Sequence, residues 1–231
     1  MILLYFDIMI DSSIFSKEIS KSFNWLIDLG FSLKEEDSNV LFEKARVETT
    51  LALGFSWTEY NKILINGFTA FKRFNLVENL IQEVLGGELD FTIKHRWHGE
   101  IPNDFVKICD PQFFQDAFLI TDTIQMPIFS NMLKCFFENE VAIFDNKFSS
   151  LSTILDEIDL LPSNEKSSFI VNTSNSTFLR ILAIKHLVNP LEGQKFYEET
   201  VKELSPLKNQ RVFYQILQNL DRLFLILSRQ E

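Results

Sequence analysis

A period of two in the apolar positions dominates residues 40–68. In the run Arg46 to Phe55, Val47, Thr49, Leu51, Leu53 and Phe55 fall on one side, and Arg46, Glu48, Thr50 and Ala52 on the other. That is the alternation of a strand with one buried face. Val40 to Lys44 precedes this run, and Ile63, Ile65 and Gly67 alternate with Leu64, Asn66 and Phe68 after it. Between the second and third runs, Gly54 to Asn61 reads as an aromatic-rich turn. The three runs predict a short antiparallel meander.

Helical spacing frames the meander. Residues 2–10 fit either a strand or a loosely held arm. From Ser13, the residues Phe15, Ile19, Phe23, Leu26 and Ile27 recur at three and four. Ser12 or Ser13 would cap the first turn, and Gly30 would end the helix in the left-handed position. Lys34 to Asn39 reads as a polar connection. Asn75-Leu76-Val77-Glu78 has the form of a capping box. Val77, Leu80, Ile81 and Val84 then make a stripe that Gly86-Gly87 stops. Leu89, Phe91, Ile93, His95 and Trp97 alternate with polar residues, a further strand whose Lys94 and Arg96 would guard an edge.

Gly99 to Asn103, with Pro102, marks a boundary, and helical patterns dominate beyond it. Asp110-Pro111 opens a predicted helix carrying Phe113, Phe114, Ala117, Phe118 and Thr121. Pro127 breaks it before Phe129, Met132, Leu133, Phe136 and Phe137. Val141 to Phe144 reads as a short extended run. Ile154, Leu155, Ile158 and Leu161 define a helix from about residue 152, ended by Pro162. Phe178 to Val188 is apolar on more than one face, as for a central helix, and Asn189-Pro190 closes it. A last helix from near Pro206 places Val212, Ile216, Leu220, Leu223 and Leu227 on one side. The expected fold class is therefore α+β: an antiparallel β-meander flanked by helices in residues 1–99, then a mostly α-helical part in residues 100–231. No flexible linker separates the two parts, so two domains and one shared core both remain open.

Composition narrows the function. The chain has 231 residues, 46% of them hydrophobic and 23% charged, which is enough to bury a core without disulfide staples. Its 24 Phe accompany abundant Ile, Asn and Lys, which points to the codon usage of an AT-rich genome and to core filling rather than a functional aromatic surface. The net charge of −10 argues against nucleic acid, which needs a basic footprint, and against anionic membranes. It is compatible with a basic protein partner. Cys109 and Cys135 are too few for a disulfide framework and have apolar neighbours, so buried thiols in a reducing cytoplasm are expected. The apolar N-terminus lacks a basic region and is interrupted by Asp7 and Asp11, unlike a signal peptide.

Candidate chemistry is sparse. His95 and His98 would share a metal if helical, with Glu88, Asp90 or Glu100 as a third ligand, but on a strand residues three apart point to opposite faces. No metal or other cofactor is expected. Cys109 or Cys135 with His186 would form a nucleophile pair only with an activating environment, and none is evident. No phosphate loop, dinucleotide fingerprint or serine elbow is present, and no catalytic residue is selected. The binding candidates are Trp57, Glu59 and Tyr60, since Trp and Tyr dominate protein hot spots. The competing reading makes Phe55 and Trp57 a plug at the sheet end, leaving Glu59 and Tyr60 to face a partner.

Phe23-Asn24-Trp25-Leu26 running into Leu29-Gly30-Phe31, the strand Phe42 to Leu53, and the helix opened by Phe74-Asn75-Leu76-Val77-Glu78 carry one resemblance. Over residues 13–85 the chain resembles bacterial immunity-type proteins, which neutralise toxins of contact-dependent or polymorphic systems. The resemblance implies an acidic, non-catalytic, cytoplasmic protein whose partner is a basic toxin domain. Two alternatives stand beside it. One is an enzyme acting on a small substrate in an inter-domain cleft, with His95 or His98 as general base. The other is a structural protein that self-associates through the Phe-rich segment 113–137.

Overall fold

The computed structural model describes residues 10–60, 62–108, 116–173 and 176–229, with Tyr60 as backbone only. The expectations for residues 2–9, for Asn61, for Cys109, and for the helix start at Asp110-Pro111 with Phe113 and Phe114 lie outside the described residues.

The chain is α+β, as the pattern predicts. Its first part runs α1 (Ser12–Ser22), α2 (Asn24–Asp28), β1 (Ser32–Glu36), β2 (Asn39–Ala45), β3 (Thr49–Tyr60) and β4 (Lys62–Phe74). Then come α3 (Asn75–Leu85), β5 (Ile93–Arg96), β6 (Val106–Lys107), β7 (Phe118–Ile120) and α4 (Met126–Phe136). The remainder is helical: α5 (Ala142–Lys147), α6 (Leu151–Leu160), α7 (Lys166–Phe169), α8 (Thr177–Val188), α9 (Pro190–Leu204) and α10 (Arg211–Leu227). The sheet has the order β1-β2-β3-β4-β7-β6, with β5 also paired to β4. Two compact units form. Unit 1 comprises residues 1–45, 51–70 and 95–143, and unit 2 comprises 46–50, 71–94 and 144–231.

In unit 1 the interior is aromatic. Phe15 and Phe23 from α1 and its end, Phe55 from β3, Phe68 from β4 and Phe118 from β7 all surround Phe129 of α4, with ring centroids 5.0 to 6.3 Å away. Edge-on geometries recur, as the ring quadrupole favours. Asp11, rather than Ser12 or Ser13, caps α1: its carboxylate accepts from Ile14 N at 2.8 Å. Gly30 takes the expected left-handed conformation, φ 85°. Gly67 does so inside β4, φ 77°, where a Cβ would collide with the Asp116 carboxylate. That carboxylate accepts two bonds from Arg96, at 3.1 and 2.8 Å.

Several expectations are corrected in this region. Within the expected turn at 54–61, residues 54–60 are strand, since β3 runs on to Tyr60 and Phe55 and Trp57 keep its alternation, both packing on Phe15. The one-face pattern fails at Thr50 and Ala52, which are buried together with Leu51 and Leu53 because both faces of β3 are covered there. Lys34 to Glu36 belongs to β1, which pairs with β2 from Ser32↔Glu43 to Glu36↔Asn39; its polar surface marks an edge strand rather than a loop. Phe118 lies in a strand rather than a helix, with its partners Ile65 on β4 and Lys107 on β6. Val141 to Phe144 is helical, not extended. Cys135 is exposed on α4 instead of buried.

Unit 2 packs helices. α8 is central, as its all-round apolarity predicts: Leu179 to Ile184 are buried without a break. Asn189 closes α8 and also caps α9, accepting from Leu191 N at 3.2 Å, so the stop signal is a start signal as well. Ile216, Leu220, Leu223 and Leu227 form the buried face of α10. From α10, Arg222 donates to Val84 O (2.9 Å) and Glu83 O (2.8 Å), satisfying carbonyls at the end of α3. Tyr197 of α9 donates to Asp221 at 2.7 Å, and burial together with this bond pushes its hydroxyl up to about 12. Val47, assigned by the alternation to a buried face, is 96% exposed because residues 46–49 turn back, Arg46 N donating to Thr49 O at 2.8 Å. No helix among the described residues is long and apolar enough to cross a membrane.

Candidate functional site

The apolar period of α3 carries one misfit, Glu78, on its inward side between Val77 and Ile81. The expected capping box does not form: Phe74 is the N-cap residue and makes no side-chain cap bond. Asn75 instead donates from Nδ2 to Val47 O at 3.1 Å. Glu78 is 1% exposed, and a buried carboxylate is tolerated only with a partner and full hydrogen bonding.

That partner is Arg180, the one charged residue among the buried positions of α8, itself 1% exposed. Its Nε and Nη2 grip the two Glu78 oxygens at 2.9 and 2.7 Å, the planar fork geometry that suits guanidinium to carboxylate. Nη1 donates to Val171 O at 2.6 Å and to the Ser176 hydroxyl, and Nη2 also reaches Asp90 Oδ2 at 3.1 Å. All five guanidinium N–H groups are therefore used. Thr92 completes the far side, donating to Glu78 Oε1 at 2.9 Å while accepting from Phe74 N at 3.0 Å. Asp90 takes further bonds from Phe91 N at 2.8 Å and from the Thr173 hydroxyl.

Above this network lies a cavity of about 550 Å³, inside the size range of ligand sites, roughly 300–1,000 Å³. α3 supplies Glu78, Ile81, Gln82 and Leu85 at three- and four-residue spacing; the loop Gly86 to Asp90, with Thr173 and Arg180, forms the rest. Gly86 and Gly87 both hold positive φ, 73° and 82°, and Gln82 Nε2 ties the loop by donating to Gly87 O at 2.7 Å. Three carboxylates (Glu78, Glu88, Asp90) face a single guanidinium, so the lining is net negative. Arg180 has no donor left for a ligand. What the lining offers is acceptors, and it suits an ammonium or guanidinium group.

A second ionic cluster lies in the same unit. Lys72, only 2% exposed, donates to Asp145 Oδ1 (2.6 Å) and Asp145 O (2.8 Å). Arg46 bonds both Asp145 oxygens at 3.0 and 2.6 Å. Burial raises the Asp145 carboxyl, but the bonds from Arg46 and Lys72 and their charges outweigh it and hold the group below the ordinary carboxylate range.

The sequence candidates are scattered. Trp57 is 8% exposed, its ring 5.4 Å from Phe15, and its N–H on the backbone donates to Ser38 O at 2.8 Å. Glu59 beside it is exposed, and the Tyr60 side chain lies outside the description. His95 sits on β5, Nε2 2.9 Å from Glu140 Oε2, and stacks on Phe136. His98 is exposed beyond the strand. Neither histidine lines the acidic cavity. His186 is buried in unit 2 against Phe224. Among the described residues, no group of three or more His, Cys, Asp or Glu gathers in a metal-binding arrangement. Sequence reasoning named Glu78 as a cap and Asp90 as a possible metal ligand, but missed Arg180 and the network in which it joins them. A legible signal existed: an arginine inside a helix apolar all round demands a buried acid elsewhere.

No family model matches the chain, and no curated protein or solved structure matches it.

Proposed function

We propose that this is a non-catalytic, cytoplasmic protein-binding protein whose partner is a basic polypeptide, with neutralisation of a bacterial toxin domain as the narrowest form of that role. The acidic cavity carries the reading. Glu78, Asp90 and Arg180 are tied into one another instead of being poised as acid or base, while Glu88 gives the lining an excess of carboxylate for a lysine or arginine side chain from a partner. The net charge of −10 favours the same class of partner, since complementary fields speed encounter. Glu59, exposed at the end of β3, is the second acidic contact in this reading, with Tyr60 as its neighbour in sequence. Trp57 serves the fold: Trp57→Ala should lower stability by about 3–5 kcal/mol, as for a buried aromatic truncated to alanine.

The test is retention of a partner by the purified chain from its native cell, followed by reconstitution with that purified partner. A basic polypeptide should bind the wild type and lose at least about ten-fold in affinity with Glu88→Lys, the order expected for a buried charge contact at an interface. Glu88 is exposed, so the variant's melting temperature should stay unchanged. Equal affinity for wild type, Glu88→Lys and Glu59→Lys would overturn the reading.

A further inference from the structure

Unit 2 contains a second cavity, of about 420 Å³, that shares no lining residue with the acidic one. We propose that it binds a free α-amino acid with a large apolar side chain, a function beyond the protein-binding role above.

The lining divides by chemistry. One half is apolar: Phe178 and Ile181 of α8, Phe196 of α9 and Ile216 of α10. The other part of the lining holds Lys166 and Glu203, one cation and one carboxylate, together with the hydroxyl and amide groups of Ser163, Ser167, Asn172, Thr177 and Thr200. Neither charged group has an ion-pair partner among the described residues, each other included. A ligand with only a carboxylate would satisfy Lys166 and leave Glu203 opposing it. A ligand with only an amine reverses the fault. The zwitterion satisfies both, with its side chain against the four apolar walls.

Thr177 supplies an independent sign. It lines the cavity from the first turn of α8, yet its hydroxyl oxygen is closed off from solvent and has no hydrogen-bond partner in the structure. Buried hydroxyls are normally bonded. In helices threonine divides between two χ1 positions, so this hydroxyl can turn towards the cavity and donate to a carboxylate seated there. Phe196, Thr200 and Glu203 follow one another on the same side of α9, which sets the ammonium-binding acid at one end of the apolar wall.

Calorimetric titration of the full chain tests the proposal with four probes: L-phenylalanine, 3-phenylpropionate, 2-phenylethylamine and L-serine. L-Phenylalanine should bind at least about ten-fold more tightly than each of the others, the effect of losing one hydrogen bond to a charged group or the apolar contact. Glu203→Gln should abolish the preference over 3-phenylpropionate, and Lys166→Gln the preference over 2-phenylethylamine. Thr177→Val should weaken L-phenylalanine several-fold without lowering the melting temperature. Absence of binding by L-phenylalanine, L-leucine and L-tryptophan would overturn the proposal. So would a probe order that neither charge variant alters. Because Glu88 takes no part in this cavity, Glu88→Lys should bind L-phenylalanine as the wild type does, which keeps the result separate from the partner-binding test.

Discussion

Phe129 in unit 1 and Arg180 in unit 2 hold comparable stations. Each is buried, each lies on a helix, and each meets neighbours drawn from distant parts of its unit. Phe129 touches five phenylalanine rings from α1 and its end, β3, β4 and β7. Arg180 directs its five N–H groups at Glu78, Asp90, Ser176 and Val171. The first kind of contact has only a weak orientational preference, and its loss scales with area and void. The second is directional and desolvated, so losing one member leaves the others without partners. One interior degrades gradually, whereas the other fails as a set.

The largest expected effect follows from that contrast. Glu78→Leu leaves Arg180 charged, buried and missing its main partner, and should destabilise the protein by about 3–5 kcal/mol. Adding Arg180→Met in the same chain should recover most of the loss, because apolar replacement of a whole buried pair is often close to neutral. Urea denaturation of the two single variants and the double variant measures the coupling. Additive losses would break the comparison, since the pair would then not act as a unit. A smaller effect is expected in unit 1. Phe129→Leu removes the ring but keeps an apolar side chain and should lose about 1–3 kcal/mol, between the cost of one methylene and that of truncation to alanine, read from the same denaturation midpoint. A loss as large as that of Glu78→Leu would mean that the ring packing is as exacting as the ion network.

The smallest effect is a dependence on pH. Asp145 has its carboxyl held below the ordinary range by Arg46 and Lys72. Its contribution to stability is therefore present above the unfolded carboxylate value, about 3.9, and is lost as pH falls through the lower folded value. Thermal unfolding between neutral and acid pH should show a steeper acid loss for the wild type than for Asp145→Asn. Equal slopes would remove Asp145 from the acid response.

The elements of regular period were legible in the sequence. The meander, α3 with its glycine stop, and the central position of α8 each follow from spacing alone. What escaped has identifiable causes. β1 is polar because it lies at an edge, and period alone does not separate such a strand from a loop. β3 continues through its aromatic stretch because Trp57 packs on Phe15, a tertiary contact invisible in a local window. Glu78 matched a capping pattern, but the deeper claim on it came from Arg180, 102 residues later. The candidate site depends on that long-range pairing, so only its apolar frame could be read in advance.

That separation has a consequence for biosynthesis. Glu78 leaves the ribosome 102 residues ahead of Arg180, and the carbonyl of Val84 leaves 138 residues ahead of Arg222. At elongation rates of about 5–20 residues per second, these intervals are roughly 5–20 and 7–28 seconds. Throughout the first of them α3 carries a carboxylate that cannot be buried without its counter-ion, so its apolar stripe must wait in water or in the care of a chaperone. A pause in translation before α8 would lengthen that exposure, and slow codons there would raise the share of chains lost to aggregation without altering one residue of the finished protein.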